Sequence, residues 1–234
     1  MPTTHQMALS PPFIPYDHWT PEEPPLEAVR RFEQCVSRRR TVRHFSKRDV
    51  PQELIESMIA AAGSAPSGAN KQPWRFVAVD DPVIKKEIRA GAEAEEKLFY
   101  EQRATNRWLK DLHPLGTDAD KPHLEDAPWL IVVFKLMRDE SDNDLSTSTY
   151  YVNESVGIAC GLLLAAAQHA GLATLTHTPS PMRFLGDILQ RPDYERPYLL
   201  IPVGWPADDC MVPNIQRKPL QDIMAHNRSG SDAS

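Results

Sequence analysis

Ala65-Pro66-Ser67-Gly68-Ala69-Asn70-Lys71-Gln72-Pro73-Trp74 is the stretch on which the fold turns. Just before it, residues 51–62 place Leu54, Ile55, Met58 and Ile59 on one helical face, with Pro51 suited to the first turn. Just after it, residues 74–79 alternate like a strand. The passage therefore reads as helix, turn-rich loop, strand. Its small residues let backbone amides come close to a flat ligand, although many plain loops share this composition.

Working outward, Trp129–Leu136 (WLIVVFKL) is a continuous apolar run that fits a buried central strand. Helical spacing marks residues 26–38, with Val29, Phe32 and Val36 apolar, and residues 82–104. Residues 155–170 (SVGIACGLLLAAAQHA) form an alanine-rich apolar run ended by Gly171, expected as a central buried helix. Strands are predicted at 172–178 and 198–204, with a short helix at 184–189. Residues 212–223 look irregular and carry Arg217. Helices and strands mix without strict β-α-β alternation, so the fold class is α+β. The proline-rich residues 1–25 read as an extended arm, 26–227 as one domain, and 228–234 as a disordered tail.

The chain has 234 residues, 41% hydrophobic and 25% charged, enough to bury a full core. A formal net charge of −6 argues against a general nucleic-acid binder, while leaving room for local basic pockets. Cys35, Cys160 and Cys210 lie far apart, without zinc-ligand spacing or a disulfide framework. No apolar run reaches membrane-spanning length, and residues 1–17 lack a secretory signal pattern. These features point to a cytoplasmic protein in a reducing compartment, with no membrane partner.

No GxGxxG or GxxxxGK[ST] occurs, and only ten glycines are present, so a dinucleotide fold or P-loop is not expected. Arginines are available for phosphate instead. Arg38, Arg39, Arg40 and Arg43 surround Thr41. A guanidinium binds phosphate bidentately and stays charged, and the Thr41 hydroxyl can add a hydrogen bond. The same run would also suit a basic helix C-terminus or a nucleic-acid patch. A second set comprises Glu96, Tyr100 and Lys121. Glu96 and Tyr100 share a helical face, and Lys121 follows a stretch broken by Pro114 and Gly116. An acid, a phenol and an amine can grip a free amino acid at both charged ends. A solvated amphipathic helix with a loop lysine has the same local pattern.

Taken together, RRxTVRxFS, APSGANKQPW and the late arginine of IQRKPL resemble the FMN-dependent nitroreductase superfamily. EEKLFY with Lys121 downstream, the run IACGLLLAA-QHAGL, the strand ending THTP, and PVGWP with VPNIQRKPL narrow the resemblance to its iodotyrosine deiodinase branch. It spans roughly residues 28–226. It implies a mixed central sheet flanked by helices, an arm-exchanged homodimer and FMN at the interface. Position by position, Arg39, Arg40, Thr41, Val42 and Arg43 match the phosphate- and ribityl-binding segment, and Arg217 completes it. Ser67 matches a flavin-contacting serine. Thr176, His177 and Thr178 match the flavin-edge strand, with the Thr178 hydroxyl at flavin N5. Ala69 matches the residue whose amide meets the substrate phenolate. Glu96, Tyr100 and Lys121 match a lid that holds the substrate's ammonium and carboxylate. Thr41 stands where serine is usual. His177 stands where threonine is common. Alternation along a strand turns it away from the faces of its neighbours, while electrostatic perturbation of the flavin is the alternative role, and the resemblance leaves the two open.

The function implied is reductive dehalogenation of halotyrosines to tyrosine and halide by sequential one-electron transfer, with Thr178 steering the electron count. The resemblance also implies a soluble, bacterial-type version without the membrane anchor of animal members. No NAD-binding signature is visible, so a separate reductase is a plausible electron donor. The competing readings are a general NAD(P)H-dependent nitroreductase or quinone reductase, which needs an open flavin face, and a flavin- or halotyrosine-binding protein without turnover.

Overall fold

The computed structural model describes residues 14–140 and 148–227. Its centre is β2 (Trp129–Leu136), paired on one side with β1 (Trp74–Val79) and on the other with β4 (Glu195–Gly204). The short β3 (Ala173–Thr174) closes the order β1-β2-β4-β3, and all three pairings are antiparallel. The parallel component is one isolated bridge, Thr41 to Thr174.

Helices cover both faces of β2, which is why its sequence is apolar throughout rather than alternating. On one face, Trp129, Ile131, Val133, Ile201 and Val203 pack against α2 (Gln52–Gly63) and α6 (Val152–His169). The contributing helix residues include Ile55, Met58 and Ala62 from α2, and Val156, Cys160 and Leu163 from α6. On the other face, Leu130, Val132, Phe134 and Leu200 pack against Ile88 and Ala92 of α3 (Pro82–Leu98) and Leu185 of α7 (Arg183–Ile188). Each fully buried aliphatic side chain here contributes about 1.5–3 kcal/mol by leaving water. In contrast, α1 (Pro25–Ser37) buries no residue, and its Leu26, Val29 and Phe32 are more than half exposed.

Three differences from the sequence reading shape the site. The strand expected over 172–178 is regular only at Ala173–Thr174. Leu175 donates to the Pro202 carbonyl, but Pro202 has no N–H to return, so the ladder breaks and resumes where His177 and Leu200 exchange both backbone bonds. The helix expected over 82–104 ends at Leu98, and one wide turn, Phe99–Arg103, follows with Ala104 N–H bonded to the Phe99 carbonyl. Two short helices that the spacing did not suggest then appear: α4 (Asn106–Leu112), capped by the Thr105 hydroxyl on the Trp108 amide, and α5 (His123–Asp126). Residues 14–24 of the expected arm form no regular element, and the rest of that arm and the tail at 228–234 lie outside the described residues.

Candidate active site

At the end of α1 the chain passes along β3. The Val42 amide donates to the Thr174 carbonyl at 3.1 Å, which fixes Thr41 and Arg43 on either side. Arg39, Arg40, Thr41 and Arg43 meet Arg217 around a cavity of about 220 Å³, closed further by Leu115, Pro213, Ile215 and Gln216. Arg217 crosses 178 residues of chain to donate to the Arg39 carbonyl at 2.6 Å, and it also donates to the Ser37 carbonyl at 2.7 Å. Arg40 is tied to the Pro213 carbonyl. Burial, then the charges of Arg217 and Arg40, push the Arg39 guanidinium below its ordinary value. Among the described residues, none of these four arginines forms an ion pair with a carboxylate. A cluster of unpaired guanidiniums in a recess is chemically matched to a phosphate.

Val42 is not part of that lining. Its side chain packs with Phe45, Ala127 and Ala173, and its amide is occupied by Thr174. Its location follows from the alternation that turns Thr41 and Arg43 outward.

Arg43 also lines a second, larger cavity of about 630 Å³. Thr176, His177 and Thr178 line it from the sheet edge, and Glu96, Tyr100 and Lys121 line it as well. Thr176 and Thr178 are exposed while His177 between them is buried. Glu96, in the last turn of α3, accepts from His177 Nε2 at 3.0 Å through one oxygen and meets Lys121 Nζ at 3.4 Å through the other. Burial pushes the Glu96 carboxyl up, but the His177 hydrogen bond and the Lys121 charge outweigh it and hold the group below its usual range. Lys121 is itself buried; its ammonium also donates to the Thr117 hydroxyl at 3.3 Å and to the Asp118 carbonyl. Tyr100 donates to the Thr117 carbonyl at 3.1 Å and lies with its ring 5.7 Å from Lys121 Nζ. Acid, phenol and amine thus converge; spacing places only Glu96 and Tyr100 on one face.

Several residues at this site carry no sequence signal. Glu93 accepts from the Lys121 backbone N–H at 2.8 Å and from Arg89 Nε at 2.6 Å, while Arg89 also reaches Asp120 at 2.7 Å. This network anchors the 117–121 segment onto α3. Phe99 and Trp108 meet edge to face at 4.9 Å along the cavity mouth. His123 is buried against His177, ring centroids 5.8 Å apart, and burial followed by the nearby His177 and Lys121 charges pushes its pKa down to about 3. The one available hint was the adjacency Lys121-Pro122-His123, which by itself says nothing about burial.

Ser67 and Ala69 stand apart: neither lines either cavity. Their loop is nevertheless unusual. Ala69, Asn70 and Gln72 all have positive φ (48°, 54° and 48°), a costly conformation for residues with a side chain. The Ser67 hydroxyl accepts from the Gln72 amide at 2.9 Å, and the Asn70 and Lys71 amides bond back to Ser67 and Gly68. The Ala69 amide makes no such bond among the described residues. A Cβ at Gly68 would sit 2.8 Å from the Tyr151 ring, so the glycine is required for this approach.

Fold and site define an α+β protein in which an arginine recess, without carboxylate partners among the described residues, shares Arg43 with a larger pocket lined by Glu96, Tyr100 and Lys121. The Nitroreductase family profile matches residues 36–205. The chain is 54% identical over 220 residues to the iodotyrosine deiodinase of Haliscomenobacter hydrossis, covering 93% of this chain and 99% of that protein. It is 43% identical over 215 residues to iodotyrosine deiodinase 1 of Homo sapiens, covering 90% and 74% respectively. Among solved structures, an oxidized iodotyrosine deiodinase bound to FMN and 3-iodo-L-tyrosine matches with a TM-score of 0.72 at 33% identity, over 84% of this chain and 98% of that one. The chain therefore belongs to the nitroreductase family and, within it, to the iodotyrosine deiodinase branch. Among its described residues, no helix is long and apolar enough to cross a membrane.

Proposed function

We propose that the chain is an FMN-dependent reductive dehalogenase of halotyrosines. The observation that carries this is that the unpaired arginine recess and the cavity lined by Glu96, Tyr100 and Lys121 share Arg43. The four arginines and the Thr41 hydroxyl fit a phosphate monoester, which leaves the larger cavity for a flat ring system and a stacked substrate. When bound there, FMN would supply one-electron redox chemistry, the route the family resemblance implies. The net change is balanced by two electrons and one proton: the aryl carbon–halogen bond is replaced by carbon–hydrogen, and halide leaves.

The protein's part is to bind, orient and exclude water. Lys121 and Tyr100 take the substrate carboxylate, and Glu96 takes its ammonium. These contacts exist only for a zwitterion, so they fix the phenol ring over the cofactor. Thr178, exposed on the sheet edge, presents a hydroxyl that can donate or accept, suited to a flavin nitrogen that changes its protonation. The unbonded Ala69 amide is suited to a phenolate oxygen. Ser67 and Ala69 line neither cavity; in the homodimer that the family resemblance implies, they serve the site of a second copy. Support for that comes from the exposed apolar side chains of α1, Leu26, Val29 and Phe32, with Ile158 and Leu162 of α6, which an interface would cover. The domain spans 26–227, preceded by an arm at 1–25 and followed by a tail at 228–234. Three free cysteines suit a cytoplasmic setting, and a separate flavin or NAD(P)H reductase supplies the electrons.

The test is a titration of the FMN-loaded protein with 3-iodotyrosine and with 2-iodophenol, read by flavin fluorescence. The zwitterion binds far more tightly if the lid grips an amino-acid head group. Equal affinities would overturn that role, and nitroaromatic turnover with NADPH but no halide release would favour a general nitroreductase.

A further inference from the structure

We infer that His177 is a positioning residue for the substrate-binding carboxylate: it holds one oxygen of Glu96 so that the other is presented to an incoming ammonium group. This rests on the halotyrosine reading above.

His177 occupies a rigid place. Its backbone N–H donates to Leu200 at 2.8 Å and its carbonyl accepts from Leu200 at 3.0 Å, where the sheet ladder resumes. Its neighbours Thr176 and Thr178 are exposed, so the buried His177 ring is directed differently from both. The ring is packed edge-on against buried His123 and leaves 9% of the residue exposed.

The ring's single polar contact is Glu96. Nε2 stands 3.0 Å from Glu96 Oε1, and Nδ1 is buried without a partner among the described residues. A carboxylate only accepts hydrogen bonds, so Nε2 carries the hydrogen whether the ring is neutral or charged. The hydrogen bond therefore has a fixed sense, and it immobilises Oε1. Oε2 faces Lys121 at 3.4 Å, a longer contact made by an ammonium that also holds Thr117 and Asp118. That is the contact a zwitterion can exchange. Its carboxylate draws on Lys121 while its ammonium takes Oε2, and His177 keeps Oε1 in place throughout.

Glu96 lies in the last turn of α3, just before the wide turn. Without His177, both oxygens could fold onto Lys121, masking the acid and the amine from the substrate together. A second tie supports the same geometry: Arg103, in that wide turn, donates to the Ser180 carbonyl at 2.8 Å and pairs with Glu95 at 2.9 Å. The lid is thus fastened to residues 177–180 at two points by the chain's own groups.

The test compares FMN-loaded wild type with His177→Ala and His177→Gln. Binding of 3-iodotyrosine and 2-iodophenol is read by flavin fluorescence, and KM and kcat by iodide release. His177→Ala should weaken 3-iodotyrosine about tenfold, the scale of one hydrogen bond to a charged group, with the loss in KM rather than kcat. 2-Iodophenol, which has no ammonium, should shift less than about twofold, below the worth of one ordinary hydrogen bond. The Gln amide lies where Nε2 lies and should recover most of the loss. If His177→Ala does not retain FMN, His177→Asn, whose amide sits at the Nδ1 position short of Glu96, carries the same expectation. Equal losses for both ligands, no loss at all, or no recovery with Gln would overturn the inference. A wild type that ignores 3-iodotyrosine would overturn the halotyrosine reading itself, and the inference with it.

Discussion

Arg39, Arg40, Arg43 and Arg217 meet around a recess with no carboxylate beside them among the described residues, whereas Glu96 is already paired with Lys121 and His177. Both regions are charged, but they are built for different guests. The arginines repel each other, as the lowered Arg39 value shows after the larger cost of its burial, and only an outside anion relieves them. The lid is internally neutralised, so a guest must replace contacts that are already made. The recess is also pinned by backbone: Val42 on Thr174, and Arg217 on two carbonyls. The lid hangs on side chains, a wide helical turn and the Glu93–Arg89–Asp120 network. A permanent cofactor belongs in the first kind of site and an exchanging substrate in the second.

The largest effect should come from breaking the recess. Arg39→Ala with Arg217→Ala removes two charge-assisted contacts, about 1.5–3 kcal/mol each, so FMN affinity should fall at least 100-fold. Equilibrium dialysis of the flavin checks this, and unchanged retention would place the phosphate elsewhere. Lys121→Ala and Glu96→Gln should next sharpen the contrast. Each should leave FMN in place yet weaken 3-iodotyrosine by about 2–5 kcal/mol, the cost of breaking a buried charge pair. Fluorescence titration separates the two ligands.

His123 gives a smaller, graded effect. Its folded pKa lies at about 3, below the ordinary histidine value, so between those limits the unfolded chain binds more protons. Stability should therefore fall as pH drops below about 6.5, by up to about 1.4 kcal/mol per pH unit from this one group. Glu96 adds in the same direction at lower pH: its stabilisation is present above the usual carboxylate range and is lost as pH falls through its depressed value. Urea melts across that range should show a shallower slope for His123→Phe than for wild type. The smallest change is expected at Thr178→Ala, where one hydrogen bond of about 1 kcal/mol is lost. FMN binding should barely move, while nitroaromatic reduction rises relative to iodide release.

The two regions also differ in how plainly the sequence announced them. The recess arginines sit at 39, 40 and 43 with Thr41, and alternation along an extended segment accounts for Arg39, Thr41 and Arg43 lining the recess, though not for Arg40. It leaves out Val42, whose side chain packs in the core with Phe45, Ala127 and Ala173. β2 was legible because a strand buried on both faces is apolar throughout. The lid was half legible. Spacing put Glu96 and Tyr100 on one face, but periodicity cannot register a single wide turn, and Phe99–Arg103 is one. Nor can it foresee that Pro202, lacking an N–H, would interrupt the strand at Leu175. His177 is the instructive case. Alternation gave its direction away from its neighbours, while its partner, 81 residues earlier, is a tertiary fact with no local trace.

Iodide released from 3-iodo-L-tyrosine by the dithionite-reduced, FMN-loaded protein tests the central claim most directly. The expected result is one iodide and one tyrosine formed together for each substrate consumed, with 2-iodophenol left almost untouched at the same concentration. A flavin-loaded protein that binds 3-iodo-L-tyrosine and releases no iodide would contradict the account.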